Sequence, residues 1–259
     1  MKYSEREKLI LELLEKRSVL SLADACLLTG ASVATIRRDF EQLQEKGLAE
    51  RSYGSIQLPQ KKEKSFFGGT EILDETDKEK FAIAQEAAAQ VRAGETIFIG
   101  TGKTCNMLAA QLRDRAHLRV VTTSITAVLE LMEHPNVHLT LLGGEVRTGK
   151  NYIETLDSDI GQTLRSYYFD KVFLTMDGFD LERGYTVQDK ARIPLYTQLS
   201  RMTRRLYIVV DSGKFDRRAF ATVFPPDKSC RIISTKRLPQ HFAAYYRQRG
   251  IPFTLVSVE

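Results

Sequence analysis

A chain of 259 residues with 42% hydrophobic content is long enough for a small domain plus a larger one with its own core, and it is too apolar to be disordered. It has no run of eighteen or more apolar residues, and its charged start leads into an amphipathic helix instead of a signal-peptide core, so a cytoplasmic protein without a membrane partner is expected. The formal net charge of +5 favours a polyanionic partner, although acids and bases are about balanced in the first sixty residues, so any nucleic-acid contact there rests on where individual arginines stand.

In chain order, Ser4-Glu5-Arg6-Glu7 reads as a capping box opening a helix whose apolar stripe is Leu9, Ile10, Leu13 and Leu14. A second box-like start, Ser21-Leu22-Ala23-Asp24, opens a short helix that ends at Thr29-Gly30, where the glycine supplies a turn. Ser32 then caps a third helix. Within it Ile36, Phe40 and Leu43 recur at helical spacing, which turns Ala34, Thr35, Arg37 and Arg38 outward. A helix that enters the major groove uses its first turns in this way, with Arg reaching guanine acceptors and Thr or Ala touching a thymine methyl or a phosphate. Next, Leu48 and the turn between Ser52 and Ser55 suggest a small two-stranded wing, placing Arg51 and Tyr53 near a sugar-phosphate backbone. The expected DNA-contacting set is therefore Ser32, Ala34, Thr35, Arg37, Arg38, Arg51 and Tyr53.

Residues 59–74, with Lys61, Lys62 and Lys64, lack apolar periodicity and read as a linker between a first domain, 1–58, and a second, 75–259. From about residue 75 helices alternate with short apolar runs. A helix is expected over 78–92, and strands over 96–99, 119–121, 137–142, 171–174, 206–210, 231–233 and 253–256. Such runs, separated by helices, specify a mostly parallel α/β sheet covered on both faces, with its ligand crevice at the carboxyl ends of the strands. Cys26, Cys105 and Cys230 lie far apart without a ligand pattern, so they read as small apolar residues; no metal site and no cofactor are expected.

The loops after the strands carry the chemistry. Gly100-Thr101-Gly102-Lys103-Thr104 joins a strand to a helix expected over 106–112, an arrangement that cradles phosphate through amides, helix dipole and a mobile lysine. Gly102-Lys103-Thr104 matches the end of a nucleotide-binding P-loop, but that motif needs a glycine where this chain has Ile97; a P-loop ATPase carrying a DNA module stays an alternative. Thr123-Ser124, the Gly143-Gly144-Glu145-Val146-Arg147 loop, Asp177-Gly178 and Asp211-Ser212-Gly213-Lys214 complete the set. Cations and amides suit a phosphate, and an aspartate suits hydroxyls. The candidate effector residues are Gly100, Thr101, Gly102, Lys103, Thr104, Thr123, Ser124, Arg147, Asp177, Gly178 and Lys214.

Arg6, the run Thr35-Ile36-Arg37-Arg38-Asp39, Glu45-Lys46-Gly47-Leu48 and Arg51 with Tyr53-Gly54 resemble the winged helix-turn-helix of the DeoR family of bacterial transcriptional regulators. Gly143-Gly144 with Arg147, Phe169-Asp170-Lys171-Val172-Phe173, Asp177-Gly178 and Asp211-Ser212 with Lys214-Phe215 resemble that family's effector domain. Gly100, Lys103, Thr123 and Ser55 depart from its usual residues. The resemblance implies a domain related in fold to ribose 5-phosphate isomerase that senses a phosphorylated sugar and modulates repression of a sugar-catabolic operon, and not an enzyme. An isomerase-like enzyme is the other alternative; it would need a carboxylate base and a glycine-rich lysine loop, and neither can be placed in the sequence. Because one winged module makes few base contacts, a homo-oligomer on a double-stranded DNA operator is expected.

Overall fold

The computed structural model describes residues 2–17, 19–52, 54–58, 72, 74–157, 159–203, 205–226 and 230–258. The chain divides into two compact units, Met1–Lys64 and Ser65–Glu259. Apart from Ile72 and Asp74, the expected linker over 59–74 lies outside the described residues.

The first unit runs α1 (Tyr3–Arg17), β1 (Val19–Ser21), α2 (Leu22–Thr29), α3 (Val33–Glu45), β2 (Glu50–Ser52) and β3 (Ser55–Gln57). Ser4 lies inside α1 instead of capping it; the helix starts at Tyr3, two residues earlier, with the Lys2 amide donating to Glu5. The second start behaves as its sequence dictates. Ser21 accepts from the Asp24 amide at 3.1 Å, and Gly30 closes α2 in the left-handed region at φ 67°. The two-stranded wing is present as β2 paired with β3, and β1 adds a third strand in the order β1-β3-β2, because Leu20 and Ile56 pair across the sheet and bury together. Three residues are too few for β1 to carry a readable alternation. Ile10, Leu14, Leu20, Ala25, Ile36, Phe40, Leu43 and Ile56 form the core.

The second unit begins with α4 (Glu75–Ala89), β4 (Thr96–Ile99), α5 (Lys103–Gln111), β5 (Leu118–Thr122), α6 (Ile125–Leu131) and β6 (Val137–Leu141). A hairpin, β7 (Glu145–Gly149) and β8 (Tyr152–Leu156), and α7 (Ile160–Leu164) follow, then β9 (Lys171–Leu174), β10 (Gly178–Asp180), β11 (Gly184–Val187) and α8 (Arg192–Met202). The chain continues through β12 (Leu206–Val209), β13 (Ala221–Phe224), β14 (Cys230–Thr235), α9 (Gln240–Arg249) and β15 (Phe253–Val256). Seven of these strands make one parallel sheet, ordered β15-β14-β12-β9-β4-β5-β6. Every residue of β9 and β12 is buried, as expected of strands covered on both faces. Successive residues of one strand feed different cores: Ile97 and Ile99 pack into one, Phe98 into the other. The stretch read as the Gly143 loop is instead the start of the β7-β8 hairpin, and β10, β11 and β13 form a separate antiparallel sheet. Their strands are short, and most are polar or begin at a glycine, so their pairing partners and not a local pattern fix them.

Strand order positions the site. From β4 the sheet grows through β5 and β6 on one side, and from β9 through β12, β14 and β15 on the other, so β4 and β9 flank the point where the order reverses. The loops leaving their carboxyl ends separate there and open a crevice.

Candidate DNA interface and effector site

In the first unit, Ser32 sits in extended backbone and its Oγ accepts from the Thr35 amide at 3.3 Å, with Thr35 Oγ1 2.9 Å away. Ile36, Asp39, Phe40 and Leu43 of α3 are buried, while Ser32, Ala34, Arg37 and Arg38 are exposed and Thr35 is half-buried. Asp39 is the acid on an otherwise apolar face. It receives Arg6 Nε at 2.6 Å and Nη2 at 3.0 Å, a fork that ties α1 to the back of α3. Arg6 is thus a brace, whereas Arg37 and Arg38 make no ion pair with a described residue. Arg51 Nη1 donates to Glu41 at 3.0 Å in an exposed pair, which a phosphate can replace at little cost. Tyr53 lies outside the described residues.

In the second unit, the crevice between β4 and β9 holds a cavity of about 180 Å³ lined by Gly102, Lys103 and Thr104 after β4, Thr175 and Asp177 after β9, and Asp211 and Lys214 after β12. Gly102 has φ 110°, and a Cβ there would stand 3.0 Å from Thr175 Oγ1, so the tight turn requires glycine. The helix that follows, α5, has no side-chain cap, which leaves its first amides open toward the cavity. Burial pushes the Asp211 carboxyl above the usual range, opposed by Lys214 and Lys80.

The Lys103 ammonium is not mobile. It is buried and donates to Asp77 Oδ2 of α4 at 2.5 Å, so Lys103 brings its backbone to the cavity while its side chain braces α5 on α4. Gly100 is spent differently: its amide donates to Phe173 at 2.8 Å. Thr101 is buried behind the turn. Ser124 caps α6 through the Ala127 amide and Thr123 accepts from the Thr155 amide, so this loop supports β8 and does not line the cavity. Arg147 points elsewhere, bonded to Asp189 at 2.8 Å and Glu145 at 2.9 Å. Gly178 is packed under the Arg217 carbonyl, and only its neighbour Asp177 reaches the opening.

Two cations that the sequence reading missed also line the cavity, Lys80 and Lys150, with Asn151 and Tyr152 beside Lys150. Lys80 is on α4, which carries no loop signal, and it donates to Asp77 Oδ1 at 3.1 Å, the carboxylate that also holds Lys103; Lys150 is in the turn of the unforeseen hairpin. Glu79, next to Lys80, holds the Lys214 loop in place. Burial alone would raise its carboxyl, but bonds from the Ser212 amide (3.0 Å), Ser212 Oγ, Thr235 Oγ1 and Arg237 outweigh that and hold it below its ordinary value. With the folded value depressed, this stabilisation is present above the unfolded value near 4.5 and fades as pH falls through the lower folded value. Acidification is therefore expected to speed hydrogen exchange at the Ser212 amide relative to the β12 amides, and the difference should vanish in Glu79→Gln.

Among the described residues, no helix is long and apolar enough to cross a membrane. Residues 6–62 match the family model described as a DeoR-like helix-turn-helix domain, and residues 75–236 match the DeoR C-terminal sensor domain. The lactose phosphotransferase system repressor of Lactococcus lactis is 30% identical over 250 residues, covering 95% of this chain and 96% of that protein. The glycerol-3-phosphate regulon repressor of Escherichia coli is 27% identical over 226 residues, covering 86% and 87%. A solved ribose 5-phosphate isomerase A of Methanocaldococcus jannaschii is 19% identical with a TM-score of 0.39, over 54% of this chain and 55% of that one.

Proposed function

The chain belongs to the DeoR family of transcriptional regulators, and on that premise we propose that it represses a sugar-catabolic operon and that a phosphorylated sugar modulates its hold on DNA. One observation carries this reading: the uncapped α5 N-terminus, Lys214 and Lys150 converge on a single cavity at the sheet's reversal point, in a chain that also has a helix-turn-helix. The phosphate sits on the amides of Lys103 and Thr104 with Lys214 closing on it, and Asp177 accepts from sugar hydroxyls. Ser32, Ala34, Thr35, Arg37 and Arg38 face the operator, and Arg51 faces its backbone. Two relatives support the effector class, one a repressor of a lactose phosphotransferase system and another of a glycerol-3-phosphate regulon. We assign sensing and not catalysis, in the cytoplasm.

Lys214→Ala removes a charged hydrogen bond to the phosphate and is expected to cost about 1.5–3 kcal/mol, a roughly ten- to hundred-fold loss of effector affinity. Operator binding without effector should be unchanged. The measurement is DNA-binding titration with and without sugar phosphates; an equal response to a sugar and its phosphorylated form rejects the phosphate assignment.

Reading two half-sites calls for a symmetric assembly, so sedimentation should give at least a dimer at micromolar concentration. A monomer with full operator affinity would overturn this.

A further inference from the structure

Beside the first cavity lies a second, of about 490 Å³, whose wall includes Lys150, Tyr152, Asp177, Lys190, Arg192 and Phe220. Lys150, Tyr152 and Asp177 line both, so the two spaces adjoin. Arg192, the first residue of α8, is 7% exposed along its side chain, and its Nε and Nη2 both donate to the single oxygen Glu154 Oε1, at 2.9 and 2.7 Å. Its guanidinium carbon stands 4.6 Å from the centre of the Tyr152 ring. Glu154 is fully buried, and its other oxygen, Oε2, has no partner in the described structure. The guanidinium is thus fixed on two sides, while among the described residues Nη1 makes no hydrogen bond and only a loose ion pair, 3.6 Å from Asp177 Oδ2, an oxygen that also accepts from the Gln188 amide. Burying an arginine is expensive, and this one lines the second cavity with its Nη1 outside hydrogen-bond distance of Asp177.

We infer that the effector carries a second acidic group, a carboxylate or a second phosphoryl, which docks on Arg192 while its phosphate occupies the first cavity. This rests on the proposed reading of that first cavity. A planar fork of donors suits an oxyanion better than a hydroxyl, and the exposed Lys150 and Lys190 add positive charge on the same wall. The remaining acid there, Asp189, is already committed, accepting from Arg147 at 2.8 Å and from the Ala191 amide at 2.9 Å. Tyr152 and Phe220, the latter 73% exposed, offer apolar surface for the carbon skeleton between the two acidic ends.

The test is calorimetric titration of the full chain with matched pairs: fructose 6-phosphate against fructose 1,6-bisphosphate, and glucose 6-phosphate against 6-phosphogluconate. At least one two-acid ligand should bind ten-fold or more tightly than its one-acid partner, and which pair shows the gain separates a second phosphoryl from a carboxylate. That gain should shrink to less than three-fold in Arg192→Lys and in the surface double variant Lys150→Ala with Lys190→Ala, which removes no buried contact. Equal affinities within both pairs, with Lys214→Ala still weakening every ligand, overturn the second acid and leave the phosphate site standing. A gain that survives in all these variants also overturns it. Absence of binding by all four ligands overturns both readings.

Discussion

Replacing Arg6 with alanine is expected to unfold the helix-turn-helix unit while leaving the α/β unit intact. The substitution leaves the Asp39 carboxylate at a site that is 3% exposed, with its fork of donors gone. Breaking a buried pair in this way costs about 3–5 kcal/mol, and a domain of this size rarely holds more than about that much in total. Arg6→Lys should recover part of the loss, since it restores charge but not the two-pronged geometry. Hydrogen exchange of the full chain reads the result directly: α3 amides should lose protection and β9 and β12 amides should keep theirs. Native protection of α3 together with normal operator affinity would show that Arg6 is not the brace.

Arg37→Ala and Arg38→Ala should each cost about 1–3 kcal/mol of specific operator binding, about ten- to a hundred-fold, without changing stability. Both residues are exposed and make no ion pair with a described residue, so the described fold does not depend on them. Arg51→Ala should weaken binding to all sequences alike and flatten the salt dependence by about one unit, as loss of a phosphate contact does. Binding to the operator and to scrambled DNA across several salt concentrations separates the two behaviours. If discrimination survives in both helix variants, α3 does not read the bases.

These two outcomes turn on neighbouring positions of α3, Asp39 and the Arg37-Arg38 pair, and the sequence separated them only in part. That Arg37 and Arg38 face outward follows from the spacing of Ile36, Phe40 and Leu43, because 3.6 residues per turn fix which side of a helix each residue occupies. Asp39 follows them directly and is a polar residue on the buried side. Its partner stands 33 positions away, and no local pattern reveals that pairing.

The same division holds in the larger unit. Continuous apolar runs such as 206–210 are legible as buried parallel strands because both of their faces are covered, and the Ser21, Ser32 and Gly30 signals are legible because capping is local chemistry between residues three or four apart. Strand order is a different matter: β9 inserts beside β4, and only that adjacency brings Asp177 to Gly102 and creates the cavity. Lys103 shows the limit most plainly. Its place in a glycine-rich turn is written in the sequence, but the direction of its ammonium was decided by Asp77 on α4, which satisfies a buried charge that water would otherwise have kept. The sequence by itself determined the strands of the main sheet, the Ser21 and Ser32 caps, the outward arginines and the family. Tertiary structure alone decided which cations are spent on internal carboxylates and which stay free for a ligand, because a buried charge takes the nearest partner in space.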